Sequence, residues 1–161
     1  MKKSFYFGML IMLSFSLMSS TCSNDDDDAS PNDNSQQIAQ VQSTATSGTW
    51  IVSSFIDSGQ DETNDFNGYQ FTFGSDGILT ADNGSNTITG TWSVTDDSNS
   101  NDDSSSSSDI DFNIFFSVPD TSVFEDLNDD WDIVSHTDTT ISLIDVSGGN
   151  GGTDTLVFQK N

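Results

Sequence analysis

The pattern that decides the fold is clearest in residues 87–95, which read TITGTWSVT. Side chains alternate between the two faces of an extended strand, so Ile88, Trp92 and Val94 fall on one face and hydroxyl residues fall on the other. Such a segment is typical of an antiparallel strand with one buried face and one face in water.

The alternation recurs in seven other runs from residue 48 onwards, and segments such as 74–77 and 82–86 separate neighbouring runs. These segments favour hairpin turns, since their Gly and Asn residues accept positive φ. Residues 96–108 are a low-complexity loop, and residues 119–129 are predicted to contain a short helical turn. The predicted strands are 48–56, 68–74, 77–82, 87–95, 109–118, 130–136, 139–146 and 154–160.

Eight antiparallel strands joined in sequence predict an all-β domain that closes into an up-and-down β-barrel, because closure removes exposed strand edges. The interior of such a barrel is either filled by side chains or holds one small ligand. Large aromatic residues stand at inward positions of the predicted strands, where they form the core or line a ligand cavity. These residues are Trp50, Phe71, Phe73, Trp92, Phe112 and Trp131.

Short segments of this region resemble lipocalins. Residues 48–50, Gly-Thr-Trp, are similar to the Gly-x-Trp motif that opens the first lipocalin strand. The resemblance covers residues 48–161 and implies a lipocalin-like β-barrel domain that binds a small apolar ligand. Lipocalins place an Arg over the opening Trp, and in this chain the resemblance gives that cation–π role to Lys160. The other similar segments, found in lipocalin-like domains of bacterial surface lipoproteins, are 71–73, 90–92 and 156–160.

The N-terminus has the organisation of a bacterial export signal. Lys2 and Lys3 precede an apolar run at 4–18, and these 15 residues are fewer than the roughly 20 that cross a bilayer as a helix. Residues 19–22, Ser-Ser-Thr-Cys, resemble the lipobox at which lipoprotein signal peptidase cuts. The resemblance implies a signal peptide at 1–21 and a lipidated Cys22; the alternative is ordinary cleavage with an unmodified thiol.

Four acidic residues, Asp25, Asp26, Asp27 and Asp28, follow the cysteine. They resemble the acidic export signals that send some Gram-negative lipoproteins through the outer membrane, and the alternative is a solvated acidic spacer. Residues 22–47 are predicted to be a disordered acidic linker, since they have little apolar surface to bury. The expected location is therefore the outer membrane, with a lipid-anchored domain exposed at the cell surface.

The charge of the chain excludes one class of partner. All 26 acidic residues follow Cys22, where Lys160 is the sole basic residue, so 26 carboxylates against one ammonium give a formal charge of −25. Nucleic-acid binding depends on Lys and Arg contacts with phosphates, so we expect no nucleic-acid partner. The expected partners are the membrane, through the lipid anchor, and a small apolar ligand or a surface partner. We expect the domain to be a monomer.

No motif in the sequence indicates catalysis, a metal or a cofactor. His136 is the only imidazole and no nucleophile motif accompanies it, so we expect a turn or surface position and no enzyme activity. With no cysteine after Cys22, the ligand set for zinc is missing. A calcium loop at 63–74 lacks its first Asp and its last Glu, and only a looser cluster of acids between 126 and 132 stays open.

Two functions from different classes fit these observations. A module that binds a small apolar ligand needs a cavity inside the barrel, whereas a structural or adhesive module presents its loops to a protein or glycan and needs no cavity. The volume enclosed by the aromatic residues distinguishes the two.

Overall fold

The structure is a computed structural model that describes residues 34–96, 110–146 and 152–161. Within these ranges it contains one α-helix and nine strands, with 3₁₀ turns at Thr63–Phe66 and Glu125–Leu127. The helix α1 is Ser35–Ala45. The strands are β1 Thr49–Asp57, β2 Gln60–Asp61, β3 Gln70–Phe73, β4 Ile78–Asp82, β5 Thr87–Asp96, β6 Ile110–Phe116, β7 Asp129–Thr137, β8 Thr140–Asp145 and β9 Asp154–Lys160.

Eight of the described strands form a closed antiparallel barrel. The order is β1-β3-β4-β5-β6-β7-β8-β9, and β9 pairs back with β1 from Trp50 opposite Lys160 to Ile56 opposite Thr155. The short β2 pairs with the end of β1 and lies outside this circuit. The predicted eight-stranded up-and-down barrel is therefore confirmed, and each predicted strand matches an observed one to within about two residues at either end.

The barrel has two ends, which we name by the residues found there. The lower end carries the start of β1 at Thr49, the end of β9 at Lys160, and the turns at 74–77 and 137–140. The upper end carries the turns at 57–60 and 82–87 and both 3₁₀ turns. Antiparallel pairing fixes this arrangement, since successive strands alternate in direction.

The prediction that all of residues 22–47 are a disordered linker is wrong for its last part, because Ser35–Ala45 is an α-helix packed on the barrel. Ile38, Val41 and Ala45 are spaced so that they share one helix face, and Val41 and Ala45 are completely buried against the core. The folded domain thus begins before residue 48. Among the described residues, no helix has the length and hydropathy of a membrane span.

Candidate functional site

All six aromatic residues that the sequence places in a core or a cavity are buried inside the barrel. A void that held a ligand would leave accessible surface on the side chains that line it. The exposed fraction is zero for Trp50, Phe71, Phe112 and Trp131, 2% for Phe73 and 7% for Trp92. These side chains therefore contact one another and their neighbours, and they do not surround a cavity of ligand size.

The packing of these rings centres on Phe73. Its ring centroid lies 5.2 Å from that of Trp92, 5.4 Å from that of Phe112 and 5.3 Å from that of Phe158, each in an edge-to-face arrangement. Trp92 in turn stacks on Phe112 at 5.6 Å. Aromatic pairs of this geometry add about 0.5–1.5 kcal/mol each beyond the burial of their surface. The interior is thus a rigid, interlocked core.

Helix α1 closes the lower end of the barrel. The indole N–H of Trp50 donates a hydrogen bond of 2.8 Å to the carbonyl oxygen of Ala45, the last residue of the helix. Asn34, just before the helix, donates through its side-chain amide to the Asp96 carboxylate at 3.2 Å. The helix is therefore fixed at both of its ends to strands that meet at the lower end.

The only cation in the described residues also lies at the lower end. The Lys160 Nζ atom is 5.7 Å from the centre of the Trp50 ring, and it donates a hydrogen bond of 2.8 Å to the hydroxyl of Ser47. The position that the lipocalin resemblance predicted for Lys160 is thus the observed one. Gly48 permits this approach, since a Cβ atom there would come within 2.8 Å of the Lys160 side chain.

The upper end is closed by aromatic residues that come from the two 3₁₀ turns and from the segments beside them. Phe124 is the centre of this cluster, with its ring centroid 5.5 Å from that of Phe66, 5.0 Å from that of Tyr69 and 5.2 Å from that of Phe116. Leu127 is fully buried, and its carbonyl oxygen accepts a hydrogen bond of 3.1 Å from the Trp131 indole. The barrel is therefore sealed at this end too.

Carboxylates collect around the upper end, and three of them have pKa values above the usual range. Burial, followed by repulsion from neighbouring acids, raises the pKa of Glu62 and of Asp126. Burial, a side-chain hydrogen bond with Asp130 and the charge of Asp145 raise the pKa of Asp129 to about 7. In the described part of the chain, no three or more His, Cys, Asp or Glu side chains are placed to hold a metal ion.

A groove of about 480 Å³ lies outside the barrel, between helix α1 and the β3–β4 turn. We call it the helix-side groove. Its residues are mostly hydroxyl, amide or small side chains, together with the edge of one indole ring. They are Ala39, Gln42, Ser43, Thr46, Gly74, Ser75, Gly77, Trp92 and Ser93.

Next to this groove, a row of three residues crosses the outer surface of the barrel. Ile78 on β4 pairs with Thr91 on β5, and Thr91 pairs with Phe115 on β6. We call these three residues the outer row. Ile78 is 46% exposed and Phe115 is 56% exposed, and Thr91 lies between them. Gly77 precedes Ile78 in the chain and Ser93 shares the outer face of β5 with Thr91, so the groove and the row are continuous.

A second groove, of about 350 Å³, lies on the opposite side of helix α1 and contains His136. The His136 Nδ1 atom is 3.5 Å from the Thr44 hydroxyl, and Thr137 and Asp138 follow it in the chain. The structure places the only imidazole of the sequence at the end of β7, half-buried against the helix.

The predicted lipidation residue Cys22 and the predicted export signal, Asp25, Asp26, Asp27 and Asp28, lie outside the described residues. The helix-side groove has no counterpart among the sequence predictions, because helix α1 and the β3–β4 turn are about 30 positions apart and each is polar. The spacing of Ile38, Val41 and Ala45 is the one signal that could have shown the helix.

No family model and no curated protein matches the chain. The chain is similar to the crystal structure of a DUF4847 family protein from Bacteroides vulgatus ATCC 8482, with 20% sequence identity and a TM-score of 0.46. The match covers 75% of this chain and 97% of that one. At this identity and TM-score we conclude neither family membership nor function from it.

Proposed function

We propose that this chain is a non-catalytic lipoprotein of the cell surface, in which the barrel is a rigid interaction module held to the outer membrane through a lipidated Cys22. The observation that supports it best is the filled and sealed interior. Five of the six predicted aromatic residues are at most 2% exposed, helix α1 covers the lower end, and the Phe124 cluster covers the upper end. A module of this kind acts through its outside.

The filled interior weighs against the other function considered, the binding of a small apolar ligand inside the barrel. A ligand there would have to displace buried rings such as Phe73 and Trp92, and each large core side chain that loses its packing costs about 3–5 kcal/mol. The outside of the barrel needs no such rearrangement, because the grooves and the exposed Phe115 are already open to solvent.

The membrane attachment is supported by the sequence. A basic start, an apolar run too short to span a bilayer, and a lone Cys22 after small residues are the elements of a lipoprotein signal. Two or three acyl chains on one cysteine anchor a protein durably, whereas one chain would be marginal.

The test is metabolic labelling with an alkyne fatty acid, combined with protease treatment of intact cells. The full chain should take up the label and Cys22→Ser should not, because Cys22 is the only cysteine. Protease should release the domain from intact cells expressing the full chain. Replacement of Asp25, Asp26, Asp27 and Asp28 by Ala should leave the label in place and protect the domain from protease. Equal labelling of the wild type and Cys22→Ser would refute the anchor, and protection of the wild type would refute surface exposure.

A further inference from the structure

We infer that the open edge of strand β7 binds an extended segment of a partner protein, which adds to the barrel as a further strand. We call the residues Val134–Thr137 the β7 edge. The inference rests on the proposed role as a surface interaction module and names the class of its partner. It is supported by the strand pairing at this edge, by the side chains along it and by the charge around it.

The β7 edge extends past the end of the neighbouring strand. The last pair between β6 and β7 is Asp111 opposite Asp132, and β6 begins at Ile110. Strand β7 continues to Thr137, and over this length it pairs with β8. Among the residues that the structure describes, the β7 edge therefore has a strand on its β8 side and none on its β6 side. The backbone N–H and C=O groups on that open side can pair with another extended chain.

The open backbone selects the chemical class of the ligand. An extended polypeptide presents N–H and C=O groups at the same repeat as the β7 edge, so hydrogen bonds can form along its whole length. Neither an oligosaccharide nor an acyl chain has this repeat. Strand addition is a recurring mode of peptide recognition, in which backbone hydrogen bonds supply affinity and alternate side chains supply specificity. The ligand is therefore a polypeptide.

The side chains of the β7 edge leave it open to pairing. Strand edges that avoid other chains carry lysine, proline, inward-pointing charges or bulges. The β7 edge has a bulge between Ile133 and Ser135 but no carboxylate, lysine, arginine or proline, although 26 residues of the chain are acidic. The bulge lies at the start of the edge and leaves Val134 61% exposed. An added strand would gain an apolar contact there as well as backbone hydrogen bonds.

A groove beside the β7 edge can take side chains of the added strand. This is the second groove, of about 350 Å³, between Gln40, Ser43 and Thr44 of helix α1 and residues 136–138. Its walls carry amide, hydroxyl and imidazole groups that donate and accept hydrogen bonds. Successive side chains of a strand point to opposite faces. One set of the partner's side chains would therefore enter the groove, and the other set would lie beside Val134.

The charge of the protein favours a basic partner over a second copy of the chain. Each copy has a formal charge of −25 after Cys22, so two copies repel one another. Asp132 and Asp138 flank the β7 edge in the chain and place a carboxylate near each end of an added strand. Lysine or arginine at the ends of the partner segment would be attracted there, whereas acidic residues would be repelled. The expected occupant is an extended segment with basic ends.

The experiment is a titration of the purified full chain, held in a detergent with an uncharged headgroup, with short synthetic peptides. The basic probe is Lys-Thr-Val-Thr-Val-Thr-Lys, blocked at both ends, and the acidic probe has Glu in place of each Lys. A third probe has the basic sequence with every internal backbone nitrogen methylated. Calorimetry measures the affinity, and NMR spectra of the labelled protein locate the binding site.

We expect saturable binding of the basic probe and none of the acidic one. Amide resonances of the β7 edge should shift, and the amides on its open side should become protected from hydrogen exchange because they gain a partner. The methylated probe should not bind, since it has lost its backbone donors. It has the same charge and side chains as the basic probe, so it separates strand addition from general attraction to an acidic protein.

Variants of the protein test the side chains beside the edge. Val134→Ala should weaken binding of the basic probe by about three- to tenfold through the lost apolar contact, and Asp138→Asn by about two- to fivefold through the lost ion pair. Val146→Ala and Asp120→Asn are the matched controls, because both residues are exposed and lie at the upper end. Both controls should bind like the wild type. Circular dichroism and the unfolding midpoint of every variant show whether the fold is retained.

Four results would overturn the inference: no binding of the basic probe, equal binding of the methylated probe, amide shifts confined to residues away from the β7 edge, or binding that Val134→Ala and Asp138→Asn leave unchanged. Concentration-dependent dimers in which the β7-edge amides become protected would also overturn it, because a second copy would then be the occupant. If Cys22 is labelled and the domain is surface-exposed while no peptide binds, the proposed function stands and only this inference fails.

Discussion

The upper end of the barrel is closed by interlocked rings, whereas the lower end is closed by a helix with few apolar side chains. Phe124 alone contacts four other aromatic rings, those of Phe66, Tyr69, Phe71 and Phe116. Helix α1 instead buries Val41 and Ala45 and relies on hydrogen bonds to Trp50 and Asp96. Burial of apolar surface contributes more to the free energy of unfolding than hydrogen bonds that water can replace. We therefore expect the upper end to be closed more stably than the lower end.

The two ends also differ in their ionisable groups. Acidic side chains surround the upper end, where burial and then repulsion from neighbouring acids raise the pKa values of Glu62 and Asp126, while the lower end holds Lys160, the single cation of the described residues. Deprotonation of Glu62, Asp126 and Asp129 therefore weakens the upper end, whereas deprotonation of Asp82 at the same end stabilises it. This contrast gives the four predictions that follow, from the largest expected change in unfolding free energy to the smallest.

Phe124→Ala should cost about 3–5 kcal/mol of unfolding free energy, because it leaves a cavity beneath four rings. The measurement is urea-induced unfolding followed by tryptophan fluorescence. Val123→Ala is the control, since Val123 is 36% exposed, and it should stay within about 0.5 kcal/mol of the wild type. A small loss for Phe124→Ala, equal to that of the control, would mean that the rings do not close the upper end.

Removal of helix α1 should cost about 2–4 kcal/mol, from the lost burial of Ile38, Val41 and Ala45 and from the exposed Trp50 indole. The comparison is between a chain that begins at Asn32 and one that begins at Ser47. Both should have strand-rich circular dichroism, but the shorter one should unfold at lower urea and with a red-shifted Trp emission. Identical midpoints would show that the helix is not part of the folded domain.

The pair of Lys160 and Trp50 should show a coupling of about 0.5–1 kcal/mol, the range for a cation over an indole at a partly exposed site. A double-mutant cycle with Lys160→Ala and Trp50→Phe measures it, because the cycle cancels effects that each residue has alone. A coupling of zero would mean that the cation–π contact with Trp50 does not stabilise the protein and that Lys160 contributes only through its hydrogen bond to Ser47.

Asp129→Asn should stabilise the protein above neutral pH and have no such effect near pH 4. The raised pKa of about 7 means that the folded state binds this proton more tightly than the unfolded state, so the wild type loses stability as pH rises through 4 to 7. Because the carboxyl is partly exposed and screened by solvent, we expect a gain of about 1 kcal/mol or less. Urea midpoints measured from pH 4 to 8 give the curve.

Asp82 provides a control of opposite sign for that curve. Hydrogen bonds from the Thr87 hydroxyl and the Gly84 N–H lower its pKa, so its contribution to stability is present at neutral pH and is lost as pH falls through the lowered value. Asp82→Asn should therefore destabilise at pH 7 and become neutral in acid. If Asp82→Asn and Asp129→Asn change the unfolding free energy at pH 7 in the same direction, the opposite pKa shifts of the two carboxyl groups are contradicted.

The strands could be predicted from the sequence because their signal is local. In TITGTWSVT the buried and exposed faces alternate residue by residue, and the turns beside it contain Gly and Asn. Helix α1 could not be predicted in the same way. Its sequence, SQQIAQVQSTA, has only Ile38, Val41 and two alanines as apolar residues, and its stability comes from packing against strands that are distant in the chain. The helix-side groove was missed for the same reason, since the helix forms one of its walls.

The nature of the interior was the question that the sequence left open, because a filled core and a cavity both require alternating aromatic residues. Whether the interior is filled depends on the distances between rings such as those of Phe73 and Phe158, which are 85 positions apart in the chain. It also depends on how helix α1 and the Phe124 cluster close the two ends of the barrel. Long-range packing of this kind is not encoded in any single segment.

The filled interior is tested most directly by diffraction from crystals pressurised with xenon, which enters dry apolar cavities in proteins. We predict no xenon among Phe73, Trp92 and Phe112 in the wild type. Phe73→Ala, which removes the central ring, should admit a xenon atom at that position and shows that the method would detect a cavity. A xenon peak inside the wild-type barrel would contradict the filled core and would restore the binding of a small apolar ligand as the function to pursue.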